Sequence, residues 1–388
     1  MKPATLVDVA ELVSRRTGIR LATSENGRLL RALSDEARAR GLSPEALAAL
    51  LDEDPRALQD LVERITVHET SFFRDPGQFR ALTEHVLPRT REPLTVWSAG
   101  CSNGQEPYSL AMALAEAGLE AWRIIATDIS AKAVARTRQG RYRERELRGL
   151  DERRRTAYLR RRGEVWEIAP QLRERVHASR HNLIVDPPPF EAGACSIVFC
   201  RNVLIYMDPT DVVRFLDRLH GSVARDATLF LGFSESLWQV SERFRLVRTG
   251  DAFLYQPNDA PSRGSPQRRA AGATRPHRAT RSPIAQPALT PMPDRAELLA
   301  AGEAAARGAD HASAASAFRS AAYLDPDDPI AHFQLGLALE ALDDPRSARR
   351  AYASALRTVR DRKLEGVLGG YRVNDLTTLL RDKLGLPS

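Results

Sequence analysis

The stretch Trp97-Ser98-Ala99-Gly100-Cys101-Ser102-Asn103-Gly104-Gln105-Glu106-Pro107-Tyr108-Ser109, entered through Pro93-Leu94-Thr95-Val96, reads as a buried strand, a turn with two glycines and the start of a helix. Glycines at the carboxyl end of a first strand let the backbone approach a ligand closely, and the crevice above such strand ends is where open α/β sheets bind. A second apolar strand, Ile124-Ile125-Ala126-Thr127-Asp128-Ile129, ends in a carboxylate 28 residues after Gly100. From there an acid can accept hydrogen bonds from two ribose hydroxyls. Together the two features predict a nucleoside-binding domain; the alternative is that Gly100 and Gly104 only shape a tight turn and Asp128 caps a helix.

Outward from this stretch, strands are expected at 94–98, 122–127, 196–200, 227–233 and 251–256, alternating with helices. That alternation predicts an α/β fold with a doubly wound, mostly parallel sheet over residues 86–256. Within it, residues 163–180, with Val165-Trp166-Glu167-Ile168 and Val176-His177-Ala178, are expected as a small β insertion outside the main sheet. Residues 1–85 carry helical spacing without strand runs: Leu6, Val9, Leu12, Val13; Leu29, Leu30, Leu33, Ala37; Leu47, Leu50, Leu51; Leu58, Leu61, Val62, Ile65. Gly41 ends one helix, and Ser43-Pro44-Glu45 begins the next as N-cap, first-turn proline and dipole-favoured acid. An all-α N-terminal domain follows.

Residues 294–388 are alanine-rich and repeat with a period of 34: Gly302 matches Gly336, Ala314 matches Ala348, Phe318 matches Tyr352 and Ala321 matches Ala355. Asp325-Pro326-Asp327-Asp328-Pro329 separates the two units. Thirty-four is the tetratricopeptide period, so a C-terminal helical repeat module is expected. The stretch with Leu376, Leu379, Leu380 and Leu384 is suited to a capping helix.

The net charge of +7 over 388 residues is unevenly placed. Residues 257–293 hold six arginines, one acid and eight prolines, the composition of a disordered, semi-extended linker. A second cluster, Arg136 to Arg162, has twelve arginines against four acids. It reads as a solvated helical face, with an acidic protein surface or nucleic acid as alternatives. No aromatics interleave it as a base-stacking platform requires, so no nucleic-acid partner is expected. No apolar run reaches the roughly 18 residues of a membrane span. The start, Met1-Lys2-Pro3-Ala4-Thr5-Leu6-Val7-Asp8, meets an acid before an apolar core can form, which predicts a cytoplasmic chain without a signal peptide. Cys101, Cys195 and Cys200 lack zinc or disulfide spacing and read as small packing residues, so no metal is expected.

Several separated motifs, in order, resemble the CheR-type chemotaxis methyltransferases. They are Ile65-Thr66-Val67-His68-Glu69-Thr70-Ser71-Phe72-Phe73-Arg74-Asp75, the Trp97–Ser109 block, Ala126-Thr127-Asp128-Ile129, His181-Asn182-Leu183, Phe199-Cys200-Arg201-Asn202-Val203-Leu204-Ile205-Tyr206 and Gly232-Phe233-Ser234-Glu235-Ser236. The resemblance covers about residues 5–256 and implies methyl transfer from S-adenosylmethionine, with S-adenosylhomocysteine as product, to glutamate side chains of chemoreceptor cytoplasmic domains. It further implies Arg74 and Tyr206 as catalytic residues. Cofactor contacts are implied for His68, Thr70, Arg74, Gly100, Glu106, Asp128, Asn182, Leu183, Asn202 and Val203. His68 stands where many relatives carry asparagine, and Gln105 where glutamate is frequent.

Receptor docking in the family uses basic residues of the N-terminal helices. Here Arg28, Arg31 and Arg38 fall within about 80° of one helix face, beside Leu29, Leu30 and Leu33 and interrupted by Asp35. The repeats are expected to bind a protein or peptide partner that recruits the enzyme to receptor arrays or tunes substrate access. Two rival readings are a methyltransferase with another protein or small carboxylate as acceptor, and a cofactor-sensing scaffold.

Overall fold

The computed structural model describes residues 3–21, 26–232, 235, 237, 240–249, 252–258 and 294–386. The chain forms two compact units, Met1–Pro257 and Asn258–Ser388. The expected linker lies outside the described residues from position 259 to 293, as do Phe233, Ser234 and Ser236 of the last motif.

The first unit opens with helices α1 (Pro3–Thr17), α2 (Asn26–Ala39), α3 (Pro44–Leu50) and α4 (Pro55–Ile65), followed by the short α5 (Pro76–Ala81). The Ser43 side chain accepts from the Ala46 amide and Pro44 takes the first helical position, as the local sequence dictates. Val9, Val13, Leu29, Leu33, Leu47, Leu61 and Ile65 pack into one apolar cluster. Leu30 departs from its expected place beside Leu29 and Leu33: it is 41% exposed, because one residue turns about 100° around a helix and α2 buries only the Leu29, Leu33 and Ala37 side.

Seven strands build the main sheet: β1 (Leu94–Ala99), β2 (Trp122–Asp128), β6 (Val176–Arg180), β7 (Cys195–Cys200), β8 (Val223–Leu231), β9 (Phe244–Thr249) and β10 (Ala252–Pro257). Their order is β6-β2-β1-β7-β8-β10-β9. β6 to β8 run parallel to their neighbours, while β10 is antiparallel to both β8 and β9. The order reverses at β1, between β2 and β7, which is where a doubly wound sheet opens its crevice. Helices α6 (Gln105–Glu116), α7 (Ala131–Gln139) and α10 (Pro209–Ser222) supply the crossovers.

The small β insertion includes the expected Val165–Ile168 but not residues 176–180, and extends further toward the N-terminus. It is a three-stranded antiparallel sheet of β3 (Arg141–Arg143), β4 (Leu159–Arg162) and β5 (Val165–Ile168), with α8 (Glu152–Tyr158) between its first two strands. Residues 176–180 belong to the main sheet as β6, paired in parallel with β2, and the short α9 (Pro170–Arg173) precedes them. β6 is the sheet's edge strand and buries only Val176 and Ala178. Its alternating pattern therefore imitates a half-exposed antiparallel strand, whereas the central β1 is buried throughout.

The second unit holds α11 (Arg295–Arg307), α12 (His311–Leu324), α13 (Pro329–Ala341) and α14 (Pro345–Asp361), then a two-stranded ribbon, β11 (Val367–Leu368) and β12 (Tyr371–Arg372), and α15 (Val373–Leu384). The helix starts at 295 and 329, and those at 311 and 345, are each 34 residues apart. A Cβ on Gly302 would stand 2.6 Å from the Phe318 ring, and one on Gly336 2.3 Å from the Tyr352 ring. The repeated glycine is thus the socket for the repeated aromatic, which explains the matched positions. Leu376 and Leu380 of α15 are fully buried in this cluster.

Candidate active site

The parallel pairing of Ala99 with Thr127 brings Gly100 and Asp128 out of the sheet side by side. The Thr127 carbonyl accepts from both the Gly100 and Cys101 amides at 2.8 Å, turning the chain over the strand end. Gly100 has φ +80°, and a Cβ there would come within 2.3 Å of Val203 Cγ2. Glycine is needed both for the torsion and for the close approach of the loop after β7. Asp128 Oδ2 accepts from the Ser102 amide at 2.8 Å and Oδ1 from the Ser130 amide at 2.9 Å. Burial pushes the Asp128 carboxyl above its ordinary pKa, against those two amides and the nearby His68, which pull it down.

The segment after α4 lies along the glycine turn. His68 Nε2 is 3.0 Å from Thr66 Oγ1, and the His68 carbonyl accepts from Asn103 Nδ2 at 3.4 Å. Thr70 and Arg74 are half-buried, and the Arg74 guanidinium donates to the Glu69 carbonyl at 3.2 Å. Phe73 and Asp75, on either side of Arg74, have φ of 47° and 60°, left-handed values that surrounding contacts must hold. Three contacts do so. Phe73 N donates to Ser109 Oγ at 2.9 Å, the Arg154 guanidinium lies 3.8 Å above the Phe73 ring, and Arg201 Nη1 donates to the Arg74 carbonyl at 2.7 Å.

Arg201 is buried, and its Nε donates to Glu106 Oε2 at 2.8 Å, while Ser98 Oγ donates to Glu106 Oε1 at 2.7 Å. Both oxygens of Glu106 are therefore engaged within the protein. Its neighbour Gln105 has an unused acceptor: Gln105 Oε1, like Ser102 Oγ and Asn202 Oδ1, is buried and carries no hydrogen-bond partner. Buried polar atoms are nearly always paired, and a polar ligand in the crevice would supply partners for these three.

Asn182 uses its side chain internally, donating from Nδ2 to the Arg16 carbonyl at 2.8 Å and accepting at Oδ1 from the Ile184 amide at 3.1 Å. The Leu183 carbonyl accepts from Arg218 Nη2 at 2.5 Å. Asn202 and Val203 follow β7, with Asn202 at φ 59°, and lead into the single turn Leu204–Tyr206. The Tyr206 carbonyl accepts from the Arg20 amide at 2.6 Å, which ties the chain after α1 to this turn. Arg31 and Arg38 are exposed on α2 and Arg28 is half-buried; Arg38 pairs with Asp35 at 3.2 Å.

Ser102 and Arg201 were not singled out from sequence, and Gln105 only as a departure from the glutamate frequent in relatives. Ser102 and Gln105 sit inside the quoted stretch, but whether a side chain is paired emerges only in three dimensions. The three cysteines are buried free thiols; burial raises all three, Cys195 to about 12, so they pack rather than react. Among the described residues no group of His, Cys, Asp and Glu could hold a metal ion, and no helix is long and apolar enough to cross a membrane.

Residues 68–253 match the family described as CheR methyltransferase, SAM binding domain. The chemotaxis protein methyltransferase of Listeria monocytogenes is 35% identical over 192 residues, covering 48% of this chain and 72% of that protein. Chemotaxis protein methyltransferase 1 of Pseudomonas aeruginosa is 34% identical over 213 residues, covering 50% and 76%. The Escherichia coli chemotaxis protein methyltransferase is 32% identical over 252 residues, covering 61% and 86%. The crevice fits the cofactor this family uses: orphaned acceptors at Gln105 and Asn202 suit the amine and hydroxyl donors of an adenosyl amino acid, and Asp128 has the carboxylate for its ribose. The chain belongs to the CheR family, S-adenosylmethionine-dependent methyltransferases of chemotaxis.

Proposed function

We propose that the protein transfers methyl groups to glutamate side chains in the cytoplasmic domains of chemoreceptors, giving glutamate methyl esters. When bound, S-adenosylmethionine supplies an electrophilic sulfonium methyl. A glutamate with a pKa near about 4.3 is already ionised at neutral pH, so the site has no need of a general base. The oxygen–carbon bond forms as the carbon–sulfur bond breaks, and S-adenosylhomocysteine leaves. The residues' task is to align two charged groups and exclude water, effects worth roughly 7–11 kcal/mol when geometry is right.

Arg74 orients the substrate carboxylate or the cofactor's own, and the Tyr206 hydroxyl contacts the same region. Asp128 holds the ribose, with His68, Thr70, Gly100, Asn182, Leu183, Asn202 and Val203 around the cofactor. Glu106 acts through Arg201 and Ser98. The observation that supports this reading most is the Arg201 side chain, which bonds the Arg74 carbonyl and Glu106 at once and so draws the Arg74 segment to the crevice. Arg28, Arg31 and Arg38 form the receptor-docking face. The repeats bind a protein partner at the receptor arrays.

Receptor-containing membranes incubated with methyl-labelled S-adenosylmethionine and the full chain test this directly. Alkali then releases volatile methanol from carboxyl methyl esters, and Arg74→Ala is expected to reduce that release at least about a hundredfold while the fold persists. Label transfer without alkali-volatile product points to another acceptor and overturns the reading.

A further inference from the structure

The Gly232–Ser236 motif has no part in the chemistry above, yet its Glu235 is almost wholly buried at the crevice's β7 side. Glu235 Oε1 accepts from the Val203 and Leu204 amides at 2.7 Å each, and Oε2 from the Asn202 and Gly232 amides at 2.7 Å each. A fifth amide, Ile205, lies 3.4 Å from Oε1. No cation shares this carboxylate among the described ion pairs; Arg201, next to Asn202 in the chain, is directed to Glu106, Asp75 and the Arg74 carbonyl instead. Charge-assisted bonds from consecutive amides make a fixed anion nest, here filled by the protein's own side chain.

The chain leaving β7 must bend with Asn202 at φ 59° and cannot form ladder bonds beyond the last pair, Cys200 with Leu231. Without Glu235 those buried amides have no acceptor, at a desolvation cost. The same bend packs Val203 against Gly100 and leaves Asn202 Oδ1 buried and unpaired. We propose that Glu235 is a positioning residue for cofactor binding: its carboxylate gathers the amides of Asn202, Val203, Leu204 and Gly232 into one turn and so presents Asn202 and Val203 to the cofactor. The proposal rests on the reading that Asn202 contacts the cofactor.

The test uses the full chain and two readouts, amide hydrogen exchange of the cofactor-free protein and calorimetric affinity for S-adenosylhomocysteine. In Glu235→Gln, amides 202–204 are expected to exchange at least about tenfold faster while those of β7 stay protected, and Kd rises about tenfold. In an Asn202→Ala background, Glu235→Gln is expected to raise Kd clearly less than it does in the wild-type chain, because one of the two residues it positions has lost its contact. Unchanged exchange at 202–204, or an equal loss of affinity with and without Asn202, overturns the role of Glu235. Asn202→Ala with unaltered Kd instead overturns the Asn202 contact beneath it. Should Glu235→Gln fail to fold, Glu235→Asp keeps the charge but withdraws the carboxylate from the amides by one methylene, and the same two shifts are expected.

Discussion

Gln105 and Glu106 stand next to each other at the start of α6, yet Glu106 gives both oxygens to Ser98 and Arg201 while Gln105 Oε1 has no partner. Substitutions at the two positions therefore separate. Gln105→Ala is expected to weaken S-adenosylhomocysteine binding by about 1 kcal/mol, roughly fivefold, with a smaller loss of melting temperature than Glu106→Ala, since it removes buried packing but breaks no side-chain bond within the protein. Glu106→Ala leaves the buried Arg201 charge with only Asp75, at 3.6 Å, as an ion-pair partner, which costs on the order of 3 kcal/mol of stability. Calorimetry and thermal melts of the two variants check the contrast. Equal loss of affinity and stability in both would contradict it.

At the scale of elements, α4 joins the helical bundle to the sheet. Glu36 on α2 accepts from Arg40 Nε at 2.6 Å and from Arg64 Nε on α4 at 2.8 Å. The same α4 sends Gln59 Nε2 to the Ile129 carbonyl at 3.1 Å and Glu63 to the Ala131 amide at 2.6 Å, just past Asp128. Burial pushes the Glu36 carboxyl up, but the hydrogen bonds and charges of Arg64 and Arg40 outweigh it and hold the pKa below its ordinary value. A carboxyl with a depressed native pKa stabilises the fold above its unfolded pKa and loses that contribution as pH falls through the native one. Glu36→Gln is thus expected to cost about 2 kcal/mol at pH 7, and its gap from wild type should narrow as denaturant melts move from pH 7 towards pH 3. A gap independent of pH would sink this assignment.

Considered whole, the molecule joins a methyltransferase unit to a helical unit that contributes none of the crevice residues described above. Its matched glycine sockets and 34-residue helix spacing are those of a repeat array, whose surfaces bind peptides or helices. A chain ending at Asn258 is therefore expected to keep its affinity for S-adenosylhomocysteine within about twofold but to lose enrichment at receptor arrays in cells, seen with fluorescent fusions. Localisation matching the full chain would remove the recruiting role.

The sequence by itself determined the central strands, their glycine turn, the Asp128 strand end and the helical repeat, because each rests on local periodicity: buried central strands are apolar throughout, and a socket and its aromatic recur at a fixed interval. It also brought Gly100, Asp128, His68 and Arg74 into one account through motif order. Only the tertiary structure decided that residues 176–180 are the edge strand β6 and that the insertion is built from 141–168. An edge strand and a small antiparallel sheet share the same half-buried alternation, so pattern alone does not part them. Pairing within the crevice was likewise undecided until the fold closed. Glu106 meets Arg201 across 95 residues, Glu235 meets the Asn202 amide across 33, and Gln105 is left with an unpaired oxygen because no such partner reaches it. Satisfaction of a buried polar atom depends on neighbours far away in the chain, and no local spacing records them.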